Sequence, residues 1–185
     1  MRIIAGAFGG RRLAKLGKGD MAAHLRPTPD RVREALFSSL SSGAYGDPIS
    51  GAHVLDLFAG TGALGLEALS RGAAEVSFVE NGRVAQGLLR ENIATLGVAD
   101  RTTLIGRDAV KRPPHSGAPF DLVFLDPPYG KGLGARALAV PGWIAPGALV
   151  VWEENAPQPA PEGFTLLDHR RYGDTHVTLL EAQEP

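Results

Sequence analysis

The sequence predicts an α/β fold, a Rossmann-like parallel sheet with helices on both sides, and three observations carry that reading. Short apolar runs at residues 54–58, 75–80, 102–106, 121–126 and 148–152 alternate with stretches of helical periodicity. Several of these runs are apolar at consecutive positions, as strands buried on both faces require. Between the first run and the first core helix stands a turn of small residues, Ala59-Gly60-Thr61-Gly62-Ala63. Glycines there let a backbone approach a ligand closely, and the free N–H groups of the helix that follows favour negative charge.

In chain order, residues 2–5 form a short, mostly apolar run and are followed by Gly6, Gly9, Gly10 and Arg11-Arg12. That pattern predicts a small hairpin or flexible arm with basic residues at its bend. Pro27 and Pro29 extend the backbone, and Thr28 or Asp30 is placed to cap a helix with apolar positions Val32, Ala35, Leu36 and Leu40. Arg31 and Arg33 fall off that apolar face and are expected to be free for a partner. Residues 38–50 read as a linker, dividing a basic extension (1–46) from a core (47–183). Val84, Leu88, Leu89, Ile93 and Leu96 mark the second core helix, and residues 132–140 a third. Residues 164–168 and 175–181, joined through Tyr172-Gly173-Asp174, predict a hairpin that closes the sheet edge.

The absence of cysteine excludes a disulfide framework, thiolate metal sites and a cysteine nucleophile. The five histidines show no metal-ligand spacing, so no metal is expected, and Trp143 and Trp152 read as packing residues. No signal peptide or membrane-length apolar run is present, which predicts a cytoplasmic protein. The net charge of −1 conceals an asymmetry: residues 1–36 carry eight Lys and Arg against three acidic residues, while the remainder is acidic. A basic front on an acidic body suits a polyanionic partner.

Gly60-x-Gly62-x-x-Gly65, with Glu80 at the end of the next strand, also satisfies the dinucleotide fingerprint, so a nicotinamide oxidoreductase stays open on the motif alone. A P-loop is excluded because no Lys-Ser/Thr follows the glycines. Asp56 distinguishes the remaining readings. A carboxylate facing the ligand repels a pyrophosphate and attracts the ammonium or sulfonium of S-adenosylmethionine.

Asp126-Pro127-Pro128-Tyr129, at the end of the fourth run, is the most specific short motif. Two prolines fix the backbone and remove two N–H donors, leaving carbonyls, a carboxylate and an aromatic ring directed at one space. Such a site suits the exocyclic amine of a nucleobase, with Tyr129 stacking on the base. A nicotinamide oxidoreductase leaves this turn and the basic front without a role. A non-catalytic RNA-binding module does not need the acidic residues Asp56, Glu80, Asp108 and Asp126. An adenine-N6 or other nucleic-acid amino-methyltransferase is the nearer alternative.

The segments LRPTPDRVREALF, DLFAGTGALGLEALSRGA, FLDPPYG and RRYGDT together resemble the RsmD family of 16S ribosomal RNA guanine-N2 methyltransferases, from Arg2 to Leu180. The resemblance implies a seven-stranded methyltransferase fold and S-adenosylmethionine as cofactor, with S-adenosylhomocysteine as product. It implies that Asp56 and the Gly60 to Gly62 turn hold the methionine part, Glu80 the ribose hydroxyls and Asp108 the adenine amine. Phe58, Ala59, Thr61, Asn81 and Ala109 join the cofactor-binding set. Asp126, Pro127, Pro128 and Tyr129 are expected to act on the target guanine by direct transfer, through proximity and orientation. Arg11, Arg12, Arg26, Thr28, Arg31 and Arg33 are the expected RNA contacts. The expected partner is 16S ribosomal RNA, alone or in a small-subunit assembly particle, met by a monomer away from any membrane. The segment between Tyr129 and Trp143 departs from the family pattern in being short and in containing Pro141.

Overall fold

Val54 and Leu55 are neighbours on one strand, point to opposite faces of it, and are both fully buried. The same holds for Val123 and Phe124. Strands of this kind need cover on two sides. The computed structural model, which describes residues 1–17 and 27–184, supplies it. Its strands are β1 (His53–Leu57), β2 (Glu75–Val79), β3 (Thr102–Ile105), β4 (Phe120–Leu125), β5 (Ile144–Glu154), β6 (Phe164–Tyr172) and β7 (Thr175–Ala182). They form one sheet in the order β3-β2-β1-β4-β5-β7-β6, parallel from β3 to β5 and antiparallel at β7 and β6. The helices are α1 (Asp30–Leu40), α2 (Ala63–Ser70), α3 (Arg83–Leu96) and α4 (Leu133–Leu138).

One face packs Val54, Phe78 and Phe124 against Leu36, Phe37, Leu66 and Leu89 of the helices. The other packs Leu55, Val123, Val150 and Trp152 against Ala137, Leu138 and Trp143. The strand order reverses between β1 and β4. This is the topological switch point at which ligands bind in open α/β sheets.

The N-terminal residues form a docked hairpin rather than a free arm. Arg2 pairs antiparallel with Arg12, and Ile3 enters the same core as the strands. Glu67 of α2, fully buried, accepts from the N–H groups of Ile4 (2.8 Å) and Ala5 (3.1 Å). Ser70 adds its hydroxyl, donating to the Ala5 carbonyl at 2.6 Å and accepting from Phe8 N–H at 2.9 Å. Gly6 is required at this contact, since a Cβ there falls 2.0 Å from the Ser70 carbonyl oxygen.

Helix α1 corrects three expectations. Its core face is Arg33, Leu36, Phe37 and Leu40, with Val32 and Ala35 only partly covered. Arg33, expected to reach a partner, is fully buried. Its guanidinium pairs with Asp30 and with Glu67 (3.5 Å) and donates to the carbonyls of Arg2 (2.8 Å) and Thr28 (3.4 Å). The expected cap from Thr28 or Asp30 does not form either. Pro29 holds the N-cap without a side-chain hydrogen bond, because Asp30 is engaged by Arg33 and Thr28 turns toward β5.

Candidate active site

The C-terminal ends of β1, β2 and β4 open on one cavity of about 460 Å³. On the β1 side the chain turns sharply at Phe58, the one non-glycine residue with positive φ (56°) among the described residues. Such a backbone costs about 1–3 kcal/mol and persists only where its surroundings hold it. Here Ala59 N–H donates to the Val79 carbonyl at 3.1 Å, tying the turn to β2. Phe58, Ala59, Gly60 and Thr61 all line the cavity.

Gly62 does not line it. It caps α2 in the left-handed region (φ 82°), and a Cβ there falls 2.3 Å from Leu89 Cδ1. Gly65 likewise serves packing, with its position 2.5 Å from Phe78 Cε1 and 2.7 Å from Val76 Cγ1 for an added Cβ. Of the three glycines in the fingerprint, only Gly60 borders the ligand space.

Two carboxylates hold this loop through backbone N–H groups. Asp56, 1% exposed, accepts from Gly65 N–H at 3.0 Å. Burial pushes its carboxyl up to about 8; the Glu80 charge adds to this and the Gly65 hydrogen bond opposes it. Glu80 bridges two turns, accepting from Gly60 N–H (2.8 Å) and Gly82 N–H (2.7 Å), and Asn81 stands beside it in the cavity wall. Asp108 and Ala109 are not in that wall. Asp108 accepts from Val110 N–H at 2.8 Å within its own turn, and Ala109 packs into the second core cluster.

On the β4 side, Asp126, Pro127, Pro128 and Tyr129 line the same cavity. Burial raises the Asp126 carboxyl well above the usual carboxylate range. The charges of Glu153, Asp56 and Glu154 raise it further, and a Thr28 hydrogen bond opposes them. Tyr129 is half-buried and its phenol is also raised, first by burial and then by the Glu153 charge.

Sequence reasoning left Glu153 and Glu154 out of the site. Both are buried at the end of β5: Glu153 accepts from Tyr129 Oη at 3.3 Å, and Glu154 accepts from Gly130 N–H at 3.3 Å. Their signal in the sequence is a pair of carboxylates ending an apolar strand beside the strand that carries Asp126. A second omission is the N-terminal wall. Met1, Lys15, Leu16 and Pro27 border the cavity, together with Thr28, one of the expected RNA contacts. Asn92, fully buried in α3, fastens this wall to the glycine loop, donating to the Thr61 carbonyl at 2.9 Å and accepting from Ala14 N–H at 2.6 Å.

The expected RNA contacts separate in space. Arg11 and Arg12 are exposed on the hairpin, where Arg11 donates to the Thr95 carbonyl. Arg31 is exposed beside a second cleft. Thr28 and Arg33 are buried, and Arg26 lies outside the described residues.

Known proteins give this arrangement a context. Ribosomal RNA small subunit methyltransferase D of Haemophilus influenzae is 37% identical, covering 98% of this chain and 93% of that protein. Its namesake from Escherichia coli is 38% identical over 99% and 90% of the two chains. Among solved structures, the Escherichia coli protein yhhF, named as a methyltransferase, superposes with a TM-score of 0.82 at 36% identity, covering 100% of this chain and 99% of that one. The family described as Conserved hypothetical protein 95 matches residues 1–181. Matched over nearly its whole length by that family and by these relatives, the chain belongs to the family of ribosomal RNA small subunit methyltransferase D.

Proposed function

We propose that this protein transfers a methyl group from S-adenosylmethionine to the exocyclic N2 amine of a guanine in 16S ribosomal RNA. The observation that carries the reading is that the glycine loop and the Asp126 turn face one cavity. Its volume of about 460 Å³ lies within the range of cofactor and ligand pockets, roughly 300–1,000 Å³. The names of the relatives support ribosomal RNA as the substrate. The substrate is small-subunit RNA, alone or in an assembling particle, and the chain acts on it in the cytoplasm as a monomer.

The donor set fits a cationic cofactor. Asp56 is a desolvated carboxyl that gains most from a positive neighbour, and a pyrophosphate placed there meets the carboxyl groups of Asp56 and Glu80. Glu80, its oxygens oriented by two N–H groups, is pre-set to accept from a ribose diol. When bound, S-adenosylmethionine supplies an electrophilic methyl group on a sulfonium. Asp126 and the Pro127 carbonyl accept the two amine hydrogens, so the nitrogen lone pair is drawn from the guanine ring toward that methyl group. Once that methyl group is taken up, Asp126 in its ionised form would receive the proton that the amine sheds. Tyr129 stacks on the base, a contact worth about 1–3 kcal/mol.

Mass-spectrometric mapping of methylated nucleosides in 16S ribosomal RNA, with and without the protein, tests the reading. N2-methylguanine that depends on the protein is the expected result, and methylation on adenine or none at all overturns it. Calorimetry tests the cofactor separately: S-adenosylmethionine binds and NADH does not.

A further inference from the structure

Glu153 is 4% exposed and pairs with no cation among the described residues, an expensive place for a carboxyl. Its two oxygens accept hydroxyl donors from separate parts of the chain. Thr28 Oγ1 donates to Oε2 at 3.0 Å, across 125 residues of sequence, and Tyr129 Oη donates to Oε1 at 3.3 Å. Glu153 does not line the cavity that holds Asp126. It lines the neighbouring cleft of about 600 Å³, which shares Pro27, Thr28 and Tyr129 with that cavity as a common wall.

We propose that Glu153 is a positioning residue, a latch that joins the Thr28 segment to Tyr129 and thereby fixes the ring on which the target base rests. The proposal rests on the methyltransferase reading above. A tyrosine on a surface turn has two free side-chain torsions, and anchoring its hydroxyl fixes the plane of the ring. The anchor is itself held, since Arg33 Nε donates to the Thr28 carbonyl at 3.4 Å and Arg33 is locked to Glu67 and Asp30. Glu154 steadies the next residue of the same turn through Gly130 N–H. A misplaced base loses rate rather than cofactor affinity, because an error of about 1 Å in a reacting group can cost about 100-fold.

The test compares Glu153→Ala, Glu153→Gln, Tyr129→Phe and the double variant Glu153→Ala/Tyr129→Phe. Methyl transfer to RNA, S-adenosylmethionine affinity by calorimetry, and amide hydrogen exchange are each measured. In Glu153→Ala, kcat falls by roughly 10- to 100-fold while cofactor affinity holds. Glu153→Gln keeps most of the rate, because its amide oxygen accepts one hydroxyl and its amide nitrogen donates to the other. Tyr129→Phe adds little to Glu153→Ala, as expected of coupled residues. Exchange protection is lost together in the first turn of α1, which follows Thr28, and around Gly130 in the Ala variant and retained in the Gln variant. The latch is overturned if Gln is as slow as Ala, if the two losses multiply, or if cofactor affinity falls in parallel with rate. Absence of transfer by the wild type counts against the methyltransferase reading instead. In that case unchanged exchange in Glu153→Ala still overturns the latch, and paired loss still supports it.

Discussion

The glycine loop and the Asp126 turn face the same cavity, but they are held by different kinds of contact. The loop is secured mostly within one βαβ unit: Asp56 accepts from Gly65 and Glu80 from Gly60 and Gly82, with Asn92 of the next helix donating to the Thr61 carbonyl. The Asp126 turn is stiffened by Pro127 and Pro128, and Asp126 N–H donates to the Leu57 carbonyl of β1 at 3.4 Å. Its other supports are Thr28, Glu153 and Glu154, from the far N-terminal segment and the next strand. A local frame survives changes elsewhere in the molecule, whereas an assembled one fails when a distant support is removed.

The largest effect expected from that difference comes from Arg33, which braces the Thr28 segment. Arg33→Ala takes one of two cations from buried Glu67, which keeps Arg71 at 2.8 Å, leaves the carbonyls of Arg2 and Thr28 without their donor, and opens a cavity where the side chain was; together these cost about 3–5 kcal/mol. Chemical denaturation should show that loss. Because Arg33 is fully buried, the salt dependence of RNA binding by the folded fraction should not change.

Asp126 comes next. Asp126→Ala removes the acceptor at the reacting amine and should lower single-turnover methylation by about 10²–10³. Asp126→Asn keeps one carbonyl acceptor and should retain measurable rate. Both variants should bind S-adenosylmethionine, since the glycine loop is held independently. Equal and complete loss in both would make the basicity of Asp126 essential and its hydrogen bonding secondary.

A pH series probes the other frame. The Asp56 carboxyl sits at about 8 in the folded chain against 3.8 ordinarily, so the folded state holds an extra proton between those values. Stability therefore falls as pH rises through that window, by up to about 1.4 kcal/mol per unit from this group. Asp126 and Glu153 act in the same direction. Thermal melting should be higher at pH 5 than at pH 8, and Asp56→Asn should flatten the trend. A cationic ligand favours the ionised carboxyl, so S-adenosylmethionine affinity should rise with pH, by at most about tenfold per unit, and level off above about 8.

The smallest effect comes from exposed cations that hold neither frame. Replacing Arg11, Arg12 and Arg31 together should flatten the salt dependence of RNA binding, by roughly 0.7 in log–log slope for each phosphate contact on a single strand. Cofactor affinity should hold, because none of the three borders the cavity. Lys15 is left in place for the opposite reason.

The sequence by itself determined what depends on near neighbours. Consecutive apolar residues placed the parallel strands, and a glycine turn after the first of them located the mouth of the cavity. Asp56, Glu80 and the Asp126 turn follow because strand ends in such a sheet meet at its switch point. Tertiary structure decided what depends on packing between distant segments. Arg33 reads as a surface cation by residue type. Yet it occupies the first place in a 33, 36, 37, 40 spacing, and a buried Glu67 makes that place tenable. Gly62 looks like a ligand contact, but its missing side chain makes room for Leu89. Glu153 gained its part in the site only when the chain brought Thr28 and Tyr129 to the same carboxylate. Periodicity reports which face of an element is buried; what lies against that face, and which buried charges find partners there, is fixed only when the layers close.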